Sequence, residues 1–243
     1  MTNLPLLLVP GLMCDHAVWE PMVSKLAIQR ACIMVNHGSA DSLTLMARQM
    51  LDSAPPRMLL AGHSMGARVV LEALRLAPER IAGVALLDTG FLPKAAGAAG
   101  EEESRKRFAL LKVAREQSVA VMAREWVKGM VHPARLEDDE LIERIISMFE
   151  RKTADIFECQ IQSLLGRPDV SDVLCSIKVP TLLMCGQQDT WSPVTQHQSM
   201  QALVPEAVLD VIETAGHMAP MEQPEAVAQS IERWMARCDS PSA

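Results

Sequence analysis

Tyrosine is absent from the 243 residues, and phenylalanine occurs only 4 times. With 16 methionines beside them, the expected core is soft and aliphatic, able to line an adaptable apolar pocket. Long apolar runs are also missing. None reaches the roughly 18 residues a membrane span requires, and Leu4 to Val9, after Met-Thr-Asn, is too short and lacks the basic flank of a signal peptide. Basic residues are outnumbered by acidic ones, 23 to 30. The formal net charge is −7 and the pI about 5.4, which disfavours nucleic acid as a partner because phosphate binding needs a basic surface. No C-x-x-C pair occurs among Cys14, Cys32, Cys159, Cys175, Cys185 and Cys238. The chain is too long for a disulfide scaffold, so these read as reduced, mostly buried thiols of a cytoplasmic protein. His16, His37, His132 and His197 show no metal-ligand spacing, so neither a metal nor a cofactor is expected.

What is present is an alternation of short apolar runs with helical patterns. Leu6–Val9, 31–35 and 58–61 read as buried strands, and 81–87, 181–186 and 208–212 as further strands, most of them closed by Pro, Gly, Asn or Asp. Between them, 19–27, 43–53, 67–76, 193–203 and 224–237 read as helices, with Asp41 or Ser42 capping the second. Residues 95–100 read as a small-residue linker or hinge. From Glu101 to about Leu165 there is no strand signal, only apolar residues at helical spacing, as in Leu110, Leu111 and Ala114 or Leu141, Ile145 and Met148. Residues 239–243 read as a frayed tail. The expected fold is therefore α/β: a mostly parallel six-stranded sheet flanked by helices, with an inserted all-helical cap. The core is divided into 1–92 and 176–243, and the cap occupies 93–175.

Chemistry is concentrated in Gly62-His63-Ser64-Met65-Gly66, a G-x-S-x-G elbow. An apolar strand precedes it and an amphipathic helix follows it. That setting projects a strained serine at the top of a sheet, where a helix N-terminus favours developing negative charge. A serine hydroxyl needs a base. His217, in the loop after the last strand, reaches the same rim. Asp189, after the preceding strand, is the expected orienting acid, with Asp88 at another strand end as its competitor. The order Ser, Asp, His is that of the α/β-hydrolase version of the triad. The oxyanion donors are expected to be the backbone N–H groups of Met65 and of Leu12, in the loop after the first strand. Met13, Met65, Trp191 and Met218, and further off Trp19, are candidate walls of a mainly apolar substrate pocket, though each also reads as plain core. Arg105, Lys106 and Arg107 read as a solvated helix face with the capacity to meet an anion. Arg68 reads as a structural ion-pair partner.

The elbow followed by Ala-Arg-Val-Val, and the stretch Pro78 to Asp88, resemble the α/β-hydrolase superfamily, specifically its small bacterial esterases and menaquinone-pathway synthase-like members. The resemblance covers nearly the whole chain. It implies that Ser64, Asp189 and His217 are nucleophile, acid and base, and that Leu12 and Met65 supply the oxyanion hole. Val9-Pro10-Gly11-Leu12 departs from the more usual His-Gly, and the chain begins at what is usually the family's third strand. The implied function is a serine hydrolase cleaving a carboxylic ester of a small, largely apolar substrate through an acyl-enzyme. The alternatives are a thioesterase, lactonase, carbon–carbon hydrolase or lyase, or a small-molecule receptor without turnover. Oligomeric state is not readable.

Overall fold

The computed structural model describes residues 4–240; the first three residues and 241–243 lie outside the description. The elements in chain order are β1 (Leu6–Val9), α1 (Glu20–Val23), β2 (Cys32–Met34), α2 (Leu43–Ser53), β3 (Met58–His63), α3 (Met65–Leu76) and β4 (Ile81–Leu87). Five helices follow with no strand among them: α4 (Ala98–Glu116), α5 (Val119–Trp126), α6 (Asp139–Glu150), α7 (Ala154–Leu165) and α8 (Ser171–Ser176). Then come β5 (Thr181–Gly186), α9 (Val194–Leu203), β6 (Val208–Ile212), α10 (Ala219–Glu222) and α11 (Pro224–Asp239). Among the described residues no helix is long and apolar enough to cross a membrane.

The six strands form one parallel sheet in the order β2-β1-β3-β4-β5-β6. Every residue of β1, β3, β4 and β5 is buried. This is why those segments read as unbroken apolar runs: helices cover both faces. α1 packs on α11 on one side, while α2 and α8 both pack on α3 on the other. The chain runs from β1 out to β2 and returns to β3 on the opposite side of β1. The loops after β1 and β3 therefore part at a topological switch point, where open α/β sheets place their crevice. The register Val9↔Gly62 and Leu87↔His63 brings the ends of β1, β3 and β4 level beneath that crevice.

Helix starts follow local chemistry. Ser42, Ser118, Asp138 and Thr153 each accept a hydrogen bond from the amide three residues on, at 3.1–3.2 Å, satisfying a donor the helix cannot. Four expectations are corrected. The helix expected over 19–27 stops at Val23, because the amides of Ala27 and Ile28 bond instead to the Glu232 carboxylate at 2.5 and 3.1 Å. The second strand is an edge, not a buried strand, and leaves Ile33 40% exposed. Half of the supposed linker is helix. Only Gly97, at φ +65°, turns, and α4 begins at Ala98, since alanine is the best helix former. Of the cysteines, only Cys14 and Cys185 are fully buried; Cys175 is exposed. At the far end Asp239 closes α11, and the rest of the supposed frayed tail beyond Ser240 lies outside the described residues.

Candidate active site

Ser64 takes φ +54° and ψ −117°, a strained conformation for a residue with a side chain. Neighbours hold it there. Its amide donates to the Leu87 carbonyl at 2.8 Å, and its own carbonyl accepts from Thr89 Oγ1 at 3.0 Å. The flanking glycines are required by contact. A Cβ on Gly66 would lie 2.1 Å from the Val9 carbonyl oxygen, and one on Gly62 would lie 2.5 Å from Ala67 Cα. α3 can approach β3 at Gly62 and the end of β1 at Gly66 this closely only with bare backbone at both positions.

The structure brings Ser64, His217 and Asp189 into one chain of hydrogen bonds. His217 Nε2 lies 2.8 Å from Ser64 Oγ, and His217 Nδ1 lies 2.8 Å from Asp189 Oδ2. The other carboxylate oxygen, Asp189 Oδ1, accepts from the amides of Trp191 and Ser192 at 2.8 and 3.0 Å. Burial alone would raise the Asp189 pKa. The charge of His217 and these hydrogen bonds outweigh it and bring the carboxyl down to about 2. Asp189 is therefore an anion at neutral pH. Its acceptor role fixes Nδ1–H on His217, which leaves Nε2 to accept from Ser64 Oγ–H.

Asp88, the competitor, is elsewhere. It is fully buried, and its Oδ1 accepts from Gly186 N at 2.9 Å. Burial, then the charge of Asp189, pushes its carboxyl well above the usual range. Its other oxygen sits 3.8 Å from His63 Nε2, which donates to the His217 carbonyl at 2.8 Å. Burial, then His217, lowers His63 to about 3, so this imidazole is neutral and works as a strut under the His217 backbone.

The loop after β1 is built to hold free amides at the crevice. Met65 N belongs to the first turn of α3, whose amides have no internal acceptor. Leu12 N has none among the described residues. Met13 takes φ +62°, and its amide donates to Gln160 Oε1 of α7 at 2.8 Å. Arg151 grips Asp15 with two hydrogen bonds at 2.7 and 2.9 Å. Met13 itself packs into the core. It is fully buried and does not line the cavity, against expectation; Trp19 is likewise core.

A cavity of about 850 Å³ opens at Ser64; Met65, Trp191 and Met218 line it, and so does Leu12. Trp191 stacks on Trp126 with ring centroids 5.7 Å apart and lies 4.9 Å from the His217 ring. The wall is mainly apolar but carries a cationic stretch. Arg68, Arg107 and Arg167 also face this space, so Arg107 turns inward from the face expected to be solvated, while Arg105 and Lys106 remain largely exposed. Among the described residues Arg68 forms no ion pair, contrary to the structural role expected of it. No group of three or more His, Cys, Asp or Glu among the described residues is placed to hold a metal.

Two site residues lie beyond the sequence reading. Gln160 is one. Glu222 is the other: it accepts from the amides of Gly216, Met218 and His132 at 2.9, 3.2 and 2.6 Å, and so ties the His217 loop to the segment after α5. Burial raises its carboxyl despite these bonds. A lone glutamate in an apolar stretch, Ala-Pro-Met-Glu, is the one local signal it left.

The chain matches the sequence profile described as the Alpha/beta hydrolase family over residues 6–230. It is 25% identical over 226 residues to a pimeloyl-[acyl-carrier protein] methyl ester esterase of Aliivibrio salmonicida, covering 87% of this chain and 84% of that one. It is 28% identical over 253 residues to a dihydrolipoyllysine-residue acetyltransferase component of an acetoin cleaving system of Pseudomonas putida. That match covers 93% of this chain and 62% of the longer protein. Among solved structures, a thermophilic esterase from Thermogutta terrifontis superposes with a TM-score of 0.85 at 27% identity, over 98% of this chain and 92% of the other.

Proposed function

The chain belongs to the Alpha/beta hydrolase family and is a hydrolase acting on ester bonds; we propose that Ser64 is its nucleophile, His217 its general base and acid, and Asp189 the residue that orients the base. The observation that carries this reading is the unbroken relay from Asp189 through His217 to Ser64, with both contacts at 2.8 Å, ending at a strained elbow that opens into the cavity. Ser64 Oγ attacks the ester carbonyl carbon as its proton passes to His217 Nε2. The negative charge that develops on the carbonyl oxygen is met by the amides of Leu12 and Met65, which are already oriented and need no reorganisation. His217 returns the proton to the leaving alkoxide. Water then attacks the acyl carbon of the ester on Ser64, gives its proton to His217, and the acid product leaves as Ser64 regains its hydrogen.

Residues 93–175 act as a cap in this account: their helices supply Arg107, Val113, Trp126, Phe149 and Phe157 to the cavity over the catalytic groups, and the segment after α7 supplies Arg167. The partner is a small-molecule ester, and the net charge of −7 argues against nucleic acid. The six unpaired cysteines fit a cytoplasmic setting. The test is a series of p-nitrophenyl esters with acyl chains from acetyl to dodecanoyl. The cavity volume suits a drug-sized ligand, so turnover is expected for short and medium chains, with a decline toward the longest. A folded protein that hydrolyses none of the series would count against the ester reading and favour a lactone, thioester or carbon–carbon substrate.

A further inference from the structure

The proposed reaction makes no use of the cationic side of the cavity. Arg68 lies on α3 four residues after Ser64, about 6 Å further along the helix axis. Helical side chains lean toward the N-terminus, so Arg68 leans back toward Ser64. Arg107 comes from α4 and Arg167 from just beyond α7, and both line the same cavity as Ser64 and His217. One acid, Glu103, sits among them and is already engaged. Its Oε1 accepts from Arg107 Nε at 3.0 Å and from Arg167 Nη1 at 2.7 Å, and its Oε2 accepts from Arg167 Nη2 at 2.7 Å.

Arg68 has no such partner. Its Nη1 donates to the Leu92 carbonyl at 3.1 Å, and among the described residues no carboxylate pairs with it. Three guanidinium groups against one carboxylate leave two positive charges unbalanced. Burial, then the like charge of Arg167, pulls Arg68 down to about 9, which still leaves it cationic at neutral pH. The one carboxylate near enough to act on it, Glu103, is already held by the other two arginines, and a half-buried charge so incompletely balanced is costly. Glu103 alone suffices to pair Arg107 with Arg167, so the third arginine serves no evident purpose in holding the cap to the core. The same cavity also has apolar lining, with Leu110, Val113, Trp126 and Phe157. The cavity thus joins the reacting groups, apolar residues and a cationic side formed by the three arginines.

We propose that the cationic side is a recognition subsite for a carboxylate carried by the ester itself, with Arg68 as its principal contact and Arg107 and Arg167 setting the field. The substrate class is then an anionic ester whose free carboxylate stands a short apolar spacer from the scissile carbonyl, as in a hemi-ester of a dicarboxylic acid. A carboxylate fits better than a neutral polar group because the planar guanidinium fork offers it two parallel donors. The inference rests on the ester-hydrolase reading and refines it.

The experiment compares the p-nitrophenyl hemi-ester of glutaric acid with neutral p-nitrophenyl valerate, of equal acyl length. For the wild type, kcat/KM for the anionic ester should exceed that for the neutral one by about tenfold or more, the worth of a charge-assisted hydrogen-bond pair, although the protein's net charge of −7 repels anions. In Arg68→Gln the ratio should fall to about one, with thermal melting confirming that the variant is folded. Binding is read separately by calorimetry on Ser64→Ala, which needs no turnover. Glutarate should bind and glutaramide should not, and Ser64→Ala/Arg68→Gln should lose glutarate. An equal preference for both esters in wild type, with no glutarate binding, overturns the subsite and leaves the hydrolase reading standing. Glutarate binding lost in Arg68→Gln, with neither ester hydrolysed, sustains the subsite and overturns the hydrolase reading. Binding of inorganic phosphate in place of glutarate overturns the assignment to a carboxylate.

Discussion

Ser64→Ala lowers kcat for a neutral p-nitrophenyl ester by roughly 10⁴- to 10⁶-fold, the scale seen when a serine hydrolase loses its nucleophile. The size of the effect follows from the lack of a substitute. Cys14 lines the cavity, but burial pushes its thiol up to about 12, so it holds almost no thiolate at neutral pH. Thr89 also lines it, but its hydroxyl is engaged with the Ser64 carbonyl. Neither is hydrogen-bonded to His217. The fold survives the change, because Ser64 Oγ bonds only to His217 and the elbow is held through the Ser64 backbone, by the Leu87 carbonyl and the Thr89 hydroxyl. Unchanged thermal melting with the lost rate separates the chemical effect from unfolding. A loss under tenfold would mean that Ser64 does not form the acyl-enzyme.

Asp189→Asn costs about 10⁴-fold in kcat, as the equivalent change does in other serine triads. The reason is specific to the hydrogen bonds around this side chain. Oδ1 accepts from two amides, Trp191 N and Ser192 N, so the asparagine must keep its oxygen there. Its NH₂ then faces His217 Nδ1 and can only donate. The imidazole is forced into the tautomer with hydrogen on Nε2, and it can no longer accept the Ser64 proton. The variant stays folded because each amide keeps its acceptor. Steady-state kinetics on the same neutral ester check this. A loss of only a few-fold would move the orienting role away from Asp189.

The two predictions concern residues that were legible in the sequence, and the reason is local. Ser64, Asp189 and His217 each follow a strand whose apolar run is unmistakable, so placing the strands placed the residues. β1, β4, β5, β6 and α2 run over the residues expected of them, and Ser42 is the cap of α2. What escaped depends on contacts between distant segments. Met13 and Gln160 are 147 residues apart, and nothing near either announces that one amide will need the other's side chain. Glu222 serves three backbone donors that only the folded loops bring together. The inward turn of Arg107 depends on Glu103 and Arg167 meeting across two helical segments. Met13 neighbours Leu12 in the sequence, yet its side chain is buried in the core and Leu12 lines the cavity, a difference that sequence proximity does not reveal. The edge character of β2 follows from strand order, which an apolar run does not encode.

The central claim is that the ester's acyl group passes through a covalent bond to Ser64. The most direct measurement is intact-mass and peptide-mapping analysis after reaction with a fluorophosphonate, which mimics the tetrahedral intermediate and stays attached. The account predicts one phosphonyl group per chain, on the peptide that contains Gly62-His63-Ser64-Met65-Gly66, and none on Ser64→Ala. Label on another residue, or ester turnover that continues while Ser64 is fully phosphonylated, would contradict it.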